Sequence, residues 1–206
     1  MLLELAYFGA KVIHPKTMTP AVMDGIPIYI RNTFHPEDAG TRIYLPKPRV
    51  EGASVSSNTS QAVIGFSTVD EMALLNIEGP ALVGVKGSAA RIFTSLSLAN
   101  ISIVLIAQSS SEQSISICIK HAEVPKAIGA IQEAFMSEMN KGMLKPVSVK
   151  APCSIIAAVG DAMAHTPGVA SRFFSALGHA GINIMTISQG SSERNISAGE
   201  FCLQKC

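Results

Sequence analysis

The stretch from Ile101 to Ser116 (ISIVLIAQSSSEQSIS) returns 81 residues later, from Ile182 to Ser197 (INIMTISQGSSERNIS). The offset holds without a gap from residues 75–116 to residues 156–197, and 17 of the 42 paired positions are identical. Unrelated segments of average composition would share about 6–8%. One unit therefore occurs twice, and any fold must house both copies. The copies share polar residues as well as apolar ones: Gln108 pairs with Gln189, Ser110 with Ser191, Ser111 with Ser192 and Glu112 with Glu193. Shared apolar positions require only a common core. A shared Gln-x-Ser-Ser-Glu points to a common turn or a common task.

Within a copy the pattern reads β-α-β-β. In copy one, apolar runs over residues 62–69 and 72–77 predict strands, and 79–87 is a loop. Ala89, Ile92, Phe93, Leu96 and Leu98 share a helix face that Asn100 ends. Residues 101–107 are almost continuously apolar, which predicts a central strand. A polar turn over 108–113 leads into 114–119, where Ile115, Ile117 and Ile119 alternate onto one face. A second helix spans 124–135, with Pro125 in its first turn. The order β-α-β-β-α-β predicts an α+β, ferredoxin-like sandwich: an antiparallel four-stranded sheet with helices on one face. Copy two repeats the strand at 155–159, a helix from Pro167 and Gly168 to Ala180, and the strand at 184–188. After Ser197 the correspondence fades, so copy two reads as truncated. Its sheet must be completed by copy one or by another chain, or be left with an open edge.

The first segment lies outside the repeat. His14 and Pro15 predict a stop to regular structure, Thr19 and Pro20 the start of a short helix ended by Gly25, and 26–30 a strand. Pro46, Pro48, Gly52 and the serines of 54–60 read as a linker. The expected division is 1–48, a linker at 49–61, a first unit at 62–148 and a second at 149–206.

Hydrophobic residues make up 48% of the chain and charged ones 15%, which argues against a disordered chain. A net charge of +1 offers no field for nucleic acid or an anionic membrane. No apolar run reaches 18 residues, so no spanning helix is expected, and residues 1–14 lack the pattern of a secretory signal. Cys118, Cys153, Cys202 and Cys206 have no metal-ligand spacing and read as thiols of a reducing, cytoplasmic setting.

The repeated loops carry the candidate site. Residues 79–87 and 160–168 each lead into a helix whose first N–H groups can hold a carboxylate. The Gln108 and Gln189 turns leave the neighbouring strand at the same end of the sheet, and a primary amide both donates and accepts. This combination suits a small zwitterion: a carboxylate on the helix start, an ammonium or hydroxyl on the amide, with Ser109, Ser110 and Ser191 nearby. The alternative is that these are polar turns that only cap strands. Arg91 and Arg172, at matching helix positions, either clamp a carboxylate bidentately or pair with a nearby acid. Asp161 could meet an ammonium group, but its counterpart is Pro80, so the two sites would differ.

Residues 8–17 (FGAKVIHPKT), Ile26 to Ile28, Asn32 with Pro36, and Gly40 with Thr41 resemble the end of the aspartokinase catalytic domain. Residues 106–112 (IAQSSSE) and 187–193 (ISQGSSE) resemble the two ACT regulatory domains that follow it. The run from Gly160 to Ser197 is similar to the bifunctional aspartokinase–homoserine dehydrogenases, which threonine inhibits. The resemblance implies a regulatory region carrying tandem ACT units behind a short kinase remnant, with no catalytic residue of its own. ATP and Mg would be cofactors of the parent kinase, and Lys11 would be a remnant of the nucleotide site. The effector contacts it implies are Gln108, Ser109, Ile106, Gly87, Ser88 and Ala89 in copy one. In copy two they are Gln189, Gly190, Ile187, Asp161, Gly168 and Val169. Threonine is the implied effector, with lysine as alternative, and assembly through ACT–ACT contacts is implied, in the cytoplasm or in a plastid. Other readings remain: an enzyme in its own right, opposed by the missing phosphate-binding loop; an RNA-binding sheet, opposed by strands without aromatics or basic charge; and ligand-free dimerisation modules.

Overall fold

A computed structural model describes residues 15–44, 62–164 and 166–201. The first segment holds helix α1 (Pro15–Met23) and a small antiparallel ladder of β1 (Ile28–Ile30) and β2 (Thr41–Ile43). Pro15 begins this helix instead of stopping regular structure, and Pro20 lies inside it. Proline tolerates a helix start because its missing N–H has no partner there anyway. The Arg42 guanidinium lies over the rings of Tyr29 and Tyr44, at 5.8 and 4.9 Å from their centroids.

The repeat forms one six-stranded antiparallel sheet in the order β4-β5-β3-β6-β8-β7. Its strands are β3 (Gly65–Glu78), β4 (Leu105–Gln108), β5 (Ser114–Lys120), β6 (Ser148–Val159), β7 (Ile184–Gln189) and β8 (Asn195–Phe201). Helices α2 (Ser88–Leu98), α3 (Val124–Ala134) and α4 (Met136–Asn140) belong to copy one, and α5 (Val169–His179) to copy two. The expected α+β antiparallel architecture with tandem units is what the chain adopts.

The long strands β3 and β6 resolve how copy two completes its sheet. Residues 72–78 of β3 pair with β5 and are the first strand of copy one, while residues 65–69 pair with 155–159 as a fourth strand for copy two. Residues 148–150 of β6 return the arrangement, pairing with 74–76 as the fourth strand of copy one. Met72 pairs with Cys153, its own counterpart 81 positions on, so a pseudo-twofold axis passes between them. Register shifts flank this pair, and Glu71 sits at φ 57° in the bulge. The expected division between residues 148 and 149 therefore falls inside a continuous strand, because each unit borrows from the other.

Strands β4 and β7 close the two ends of the strand order, yet they touch one another. The sheet thus curls until its edges approach. Inside the curl lie Met72, Leu74, Leu105, Cys118, Cys153, Ile155 and Ala157. On the outer face of copy one, Leu75, Ile77, Ile115, Ile117 and Ile119 meet Ile92 and Leu96 of α2 and Ala127 and Ile131 of α3. On the outer face of copy two, Ala158, Ile196 and Ala198 meet Val169, Phe173 and Leu177 of α5. Only residues 105–107 of the run at 101–107 join the sheet, and β4 is an edge strand, not the central one that composition suggests. The run is apolar because Ile101 and Ile103 face the outer core while Val104 and Leu105 face the inner one.

Two glycines carry the symmetry into the loops. A side chain on Gly79 (φ 159°) would lie 2.5 Å from the Met143 carbonyl oxygen, and one on Gly160 would strike the carbonyl of Ala62. Ala62 and Met143 are themselves 81 positions apart, so the same crossing chain excludes a Cβ in both copies. Among the described residues no helix is long and apolar enough to cross a membrane.

Candidate functional site

The site in copy one is built on the turn between β4 and β5 and on the loop before α2. The turn is held by reciprocal bonds: Ser109 N–H donates to the Ser114 carbonyl (3.1 Å), and Ser114 N–H donates to Ser109 Oγ (3.2 Å). Glu112 takes a left-handed conformation (φ 57°), and its N–H donates to the Ser109 carbonyl. Its carboxylate then reaches across 28 residues of chain to accept the Gly84 N–H at 3.1 Å. The shared Glu of the motif is therefore a strap between the turn and the helix-start loop.

That loop ends at Gly87, whose φ of 87° swings the chain into α2. Ser88 is buried and donates its hydroxyl to the Val85 carbonyl at 2.8 Å. The first N–H groups of α2 after Ser88, those of Ala89 and Ala90, have no earlier turn of helix to bond. Ala89 lines a cavity of about 310 Å³ together with Gln108, Glu112, Lys86, Gly87 and Ser88, with Ile115 and Leu82 among its apolar walls. This volume is at the lower end of the ~300–1,000 Å³ found for small-molecule sites. The structure thus brings Gln108, Gly87, Ser88 and Ala89 to one concavity. Glu112 and Lys86 join them, and sequence reasoning left both out of the contact set. The signal for Glu112 was present, since it is repeated as Glu193.

Two expected contacts of copy one lie elsewhere. Ser109 spends its hydroxyl inside the turn, on Ser114 and, at 3.3 Å, Ser111. Ile106 shares the outer face of β4 with Gln108 but is 46% exposed on the open edge, outside the cavity lining.

Copy two keeps the backbone and changes the chemistry. Gly168 (φ 84°) enters α5 as Gly87 enters α2, and Glu193 (φ 53°) donates its N–H to the Gly190 carbonyl at 2.9 Å. Gly160 N–H bonds the Arg194 carbonyl just as Gly79 N–H bonds that of Gln113. Gln189 and Gly190 are exposed at the turn, and Ile187 is 48% exposed on the edge strand. Where copy one has Lys86 and Ser88, copy two has Pro167 and Val169, and Val169 is buried in the copy-two core. Val169 therefore offers packing and no polar side-chain contact. The Asp161 carboxylate lies 3.6 Å from Arg194 Nε, so it already has a cationic neighbour. Lys11 lies outside the described residues.

Arg91 pairs with a nearby acid, the second of its two readings. Its guanidinium bonds Glu138 Oε1 at 2.5 Å and the Ala134 carbonyl at 2.6 Å, and it stacks over Phe135 at 4.2 Å. It fastens α2 to the end of α3. Arg91 holds the Glu138 carboxyl below the usual carboxylate range through that hydrogen bond.

The profile of the ACT domain family matches residues 75–135 and 156–199. The chain is 46% identical over 198 residues to the bifunctional aspartokinase/homoserine dehydrogenase of Haemophilus influenzae, covering 95% of this chain and 23% of that protein. It is 40% identical over 194 residues to the chloroplastic bifunctional aspartokinase/homoserine dehydrogenase 1 of Arabidopsis thaliana, covering 94% and 21%. The crystal structure of Clostridium acetobutylicum aspartate kinase matches with a TM-score of 0.76 at 27% identity, over 97% of this chain and 43% of that one. The chain thus spans less than a quarter of the length of these two relatives. With two ACT units sharing one sheet, the chain belongs to the ACT domain family, and along its length it is similar to a part of aspartokinases.

Proposed function

We propose that this region senses free threonine and passes its occupancy to an aspartokinase. The observation that carries this reading is the copy-one cavity that joins Gln108 to the start of α2. The effector's carboxylate takes the Ala89 and Ala90 N–H groups, with the Lys86 ammonium beside them. Its ammonium meets the Glu112 carboxylate, and its hydroxyl meets the Gln108 amide, which can donate and accept. Lys86 also argues against lysine, whose second ammonium would enter a small cavity that already holds a cation. Copy one is the stronger site, because Pro167 and Val169 remove two polar groups from copy two.

Sensing requires that the effector bind one arrangement of units better than another. A coupling of ~1–3 kcal/mol would change inhibition roughly 5–150-fold. Those arrangements involve a second copy of the chain: β4 and β7 are edge strands, and Ile106 and Ile187 are exposed at equivalent points on them. In the parent protein, ATP and Mg serve the phosphoryl transfer and not this region.

The same exposed edges favour a second reading, in which the units only dimerise. Calorimetry with threonine, lysine and methionine separates the two. Threonine binding that Gln108→Ala weakens by roughly 10-fold with assembly intact supports sensing, since such a loss is the scale of one ligand hydrogen bond. No heat with threonine at millimolar concentration, and unchanged dimerisation, would leave only the scaffold.

A further inference from the structure

The first turn of α2 borders the copy-one cavity, and its own side chains give it little hold on the fold. Ahead of Ile92, the first large core residue of the helix, stand Ser88, Ala89 and Ala90. Ser88 turns its hydroxyl back on the Val85 carbonyl, and each alanine brings one methyl. Helix ends fray, and a start of this composition needs support from outside the helix.

Arg91 supplies that support. Its backbone N–H closes the first turn on the Gly87 carbonyl at 2.9 Å. Its guanidinium donates at once to Glu138 Oε1 (2.5 Å) and to the Ala134 carbonyl (2.6 Å), and lies 4.2 Å from the centroid of the Phe135 ring. A planar fork suits this threefold contact, and an ammonium does not. Isolated surface ion pairs contribute little, because two mobile side chains must be ordered to form them. Here the carbonyl is already in place and the ring is 1% exposed, so most of the receiving surface is rigid. The chain beyond Glu138 holds the far end of the same loop. The Met143 carbonyl accepts the Ala81 N–H at 3.0 Å, and Lys145 N–H donates to the Glu78 carbonyl at 2.9 Å. Residues 134–145 thus frame the loop and the helix start, independently of the Glu112 strap.

We infer that Arg91 is a positioning residue for the copy-one cavity. Without touching the effector, it fixes the first turn of α2, and with it the Ala89 and Ala90 N–H groups, through its hold on Glu138, Ala134 and Phe135. A helix start that is ordered in advance lets binding proceed without the cost of ordering it. The effect on affinity rests on the sensing reading above. The order of the turn is measurable with no ligand at all.

The experiment compares the whole chain with Arg91→Ala, Arg91→Lys and Glu138→Gln in two readouts. The first is the backbone NMR order parameter of the ligand-free chain. At Ala89 and Ala90 it should fall from about 0.85 toward 0.6 in Arg91→Ala, while Ile115 to Ile119 of β5 stay at about 0.85. The second is calorimetry with threonine. Arg91→Ala should weaken binding roughly 5-fold, and Arg91→Lys about 2-fold, since it keeps the charge and loses the fork. Glu138→Gln should add nothing in the Arg91→Ala background, because both remove one contact. If Arg91→Ala does not fold, Arg91→Lys carries both readouts at the smaller scale. Unchanged order at Ala89 and Ala90 overturns the inference whether or not threonine binds. Equal threonine affinity in the parent and variant chains overturns it as well. A parent chain that gives no heat with threonine, while the turn loosens as expected, defeats the sensing reading and leaves the positioning role standing.

Discussion

Replacing Glu112 by alanine isolates what the repeated glutamate contributes to the cavity. The carboxylate accepts the Gly84 N–H at 3.1 Å and ties the loop at 83–87 to the turn that carries Gln108. Hydrogen bonds to charged groups are worth ~1.5–3 kcal/mol when sheltered. Glu112 is exposed, so water replaces part of the bond and about 1 kcal/mol remains. Most of that loss should fall on the effector complex, because the core of α2 rests on Ile92 and Leu96, which Glu112 does not touch. The expected outcome is threonine affinity lower by about 5-fold from the strap alone, and by more because the contact with the effector's ammonium goes with it, with thermal stability within ~1 kcal/mol of the unmodified chain. Glu112→Gln, which keeps an acceptor oxygen, should lose about half as much in free energy. The assay is titration calorimetry on the three proteins, with urea melts as control. Threonine binding by Glu112→Ala as tight as by the parent chain would refute the strap. An equal loss in affinity and stability would refute its separation from the core.

Other expectations follow from the packing and the titratable groups. Ile131→Ala removes a fully buried side chain that holds α3 on the sheet and should cost ~2–5 kcal/mol in denaturant unfolding. Gly160→Ala drives a methyl into the Ala62 carbonyl and should cost ~1–3 kcal/mol, read in the same melts. Burial, with the negative charge of Asp70, raises the Glu200 carboxyl above its ordinary 4.5. The folded chain then holds a proton that the unfolded chain has lost, so stability falls as pH rises from about 4.5 through the folded value. Glu200→Gln should flatten this slope in pH-dependent melts. The hydrogen bond with Cys153 and burial push the Cys118 thiol up. Both thiols are buried, so neither should react with a thiol reagent at pH 8 before the chain unfolds.

Local sequence announced what local physics controls. The alternation of Ile115, Ile117 and Ile119 put β5 on the outer core, and Gly87 and Gly168 marked the helix starts. The meeting of Gln108 with Gly87, Ser88 and Ala89 was also legible, because a strand end and a helix start at one end of a sheet must be close. Long-range pairing was not legible. Nothing within residues 65–69 says that they join copy two, since that depends on a bulge at Glu71 and on a partner some 90 positions away. The run at 101–107 misled for a related reason: Ile101 and Ile103 pack on the outer core before the strand begins and Leu105 packs on the inner one, and composition cannot distinguish that from a central strand. For Arg91 two readings stood open, and the structure bears out the pairing with a nearby acid, since its guanidinium bonds Glu138.

The exchange of end strands through β3 and β6 also limits how this region can move. Pulling the halves apart would strip a ladder from each, so they cannot swing on a hinge between them. They should melt as a single cooperative block, with one transition by every probe. Any signal that leaves here must travel as the displacement of a rigid body against its neighbours, and not as a change of posture within it.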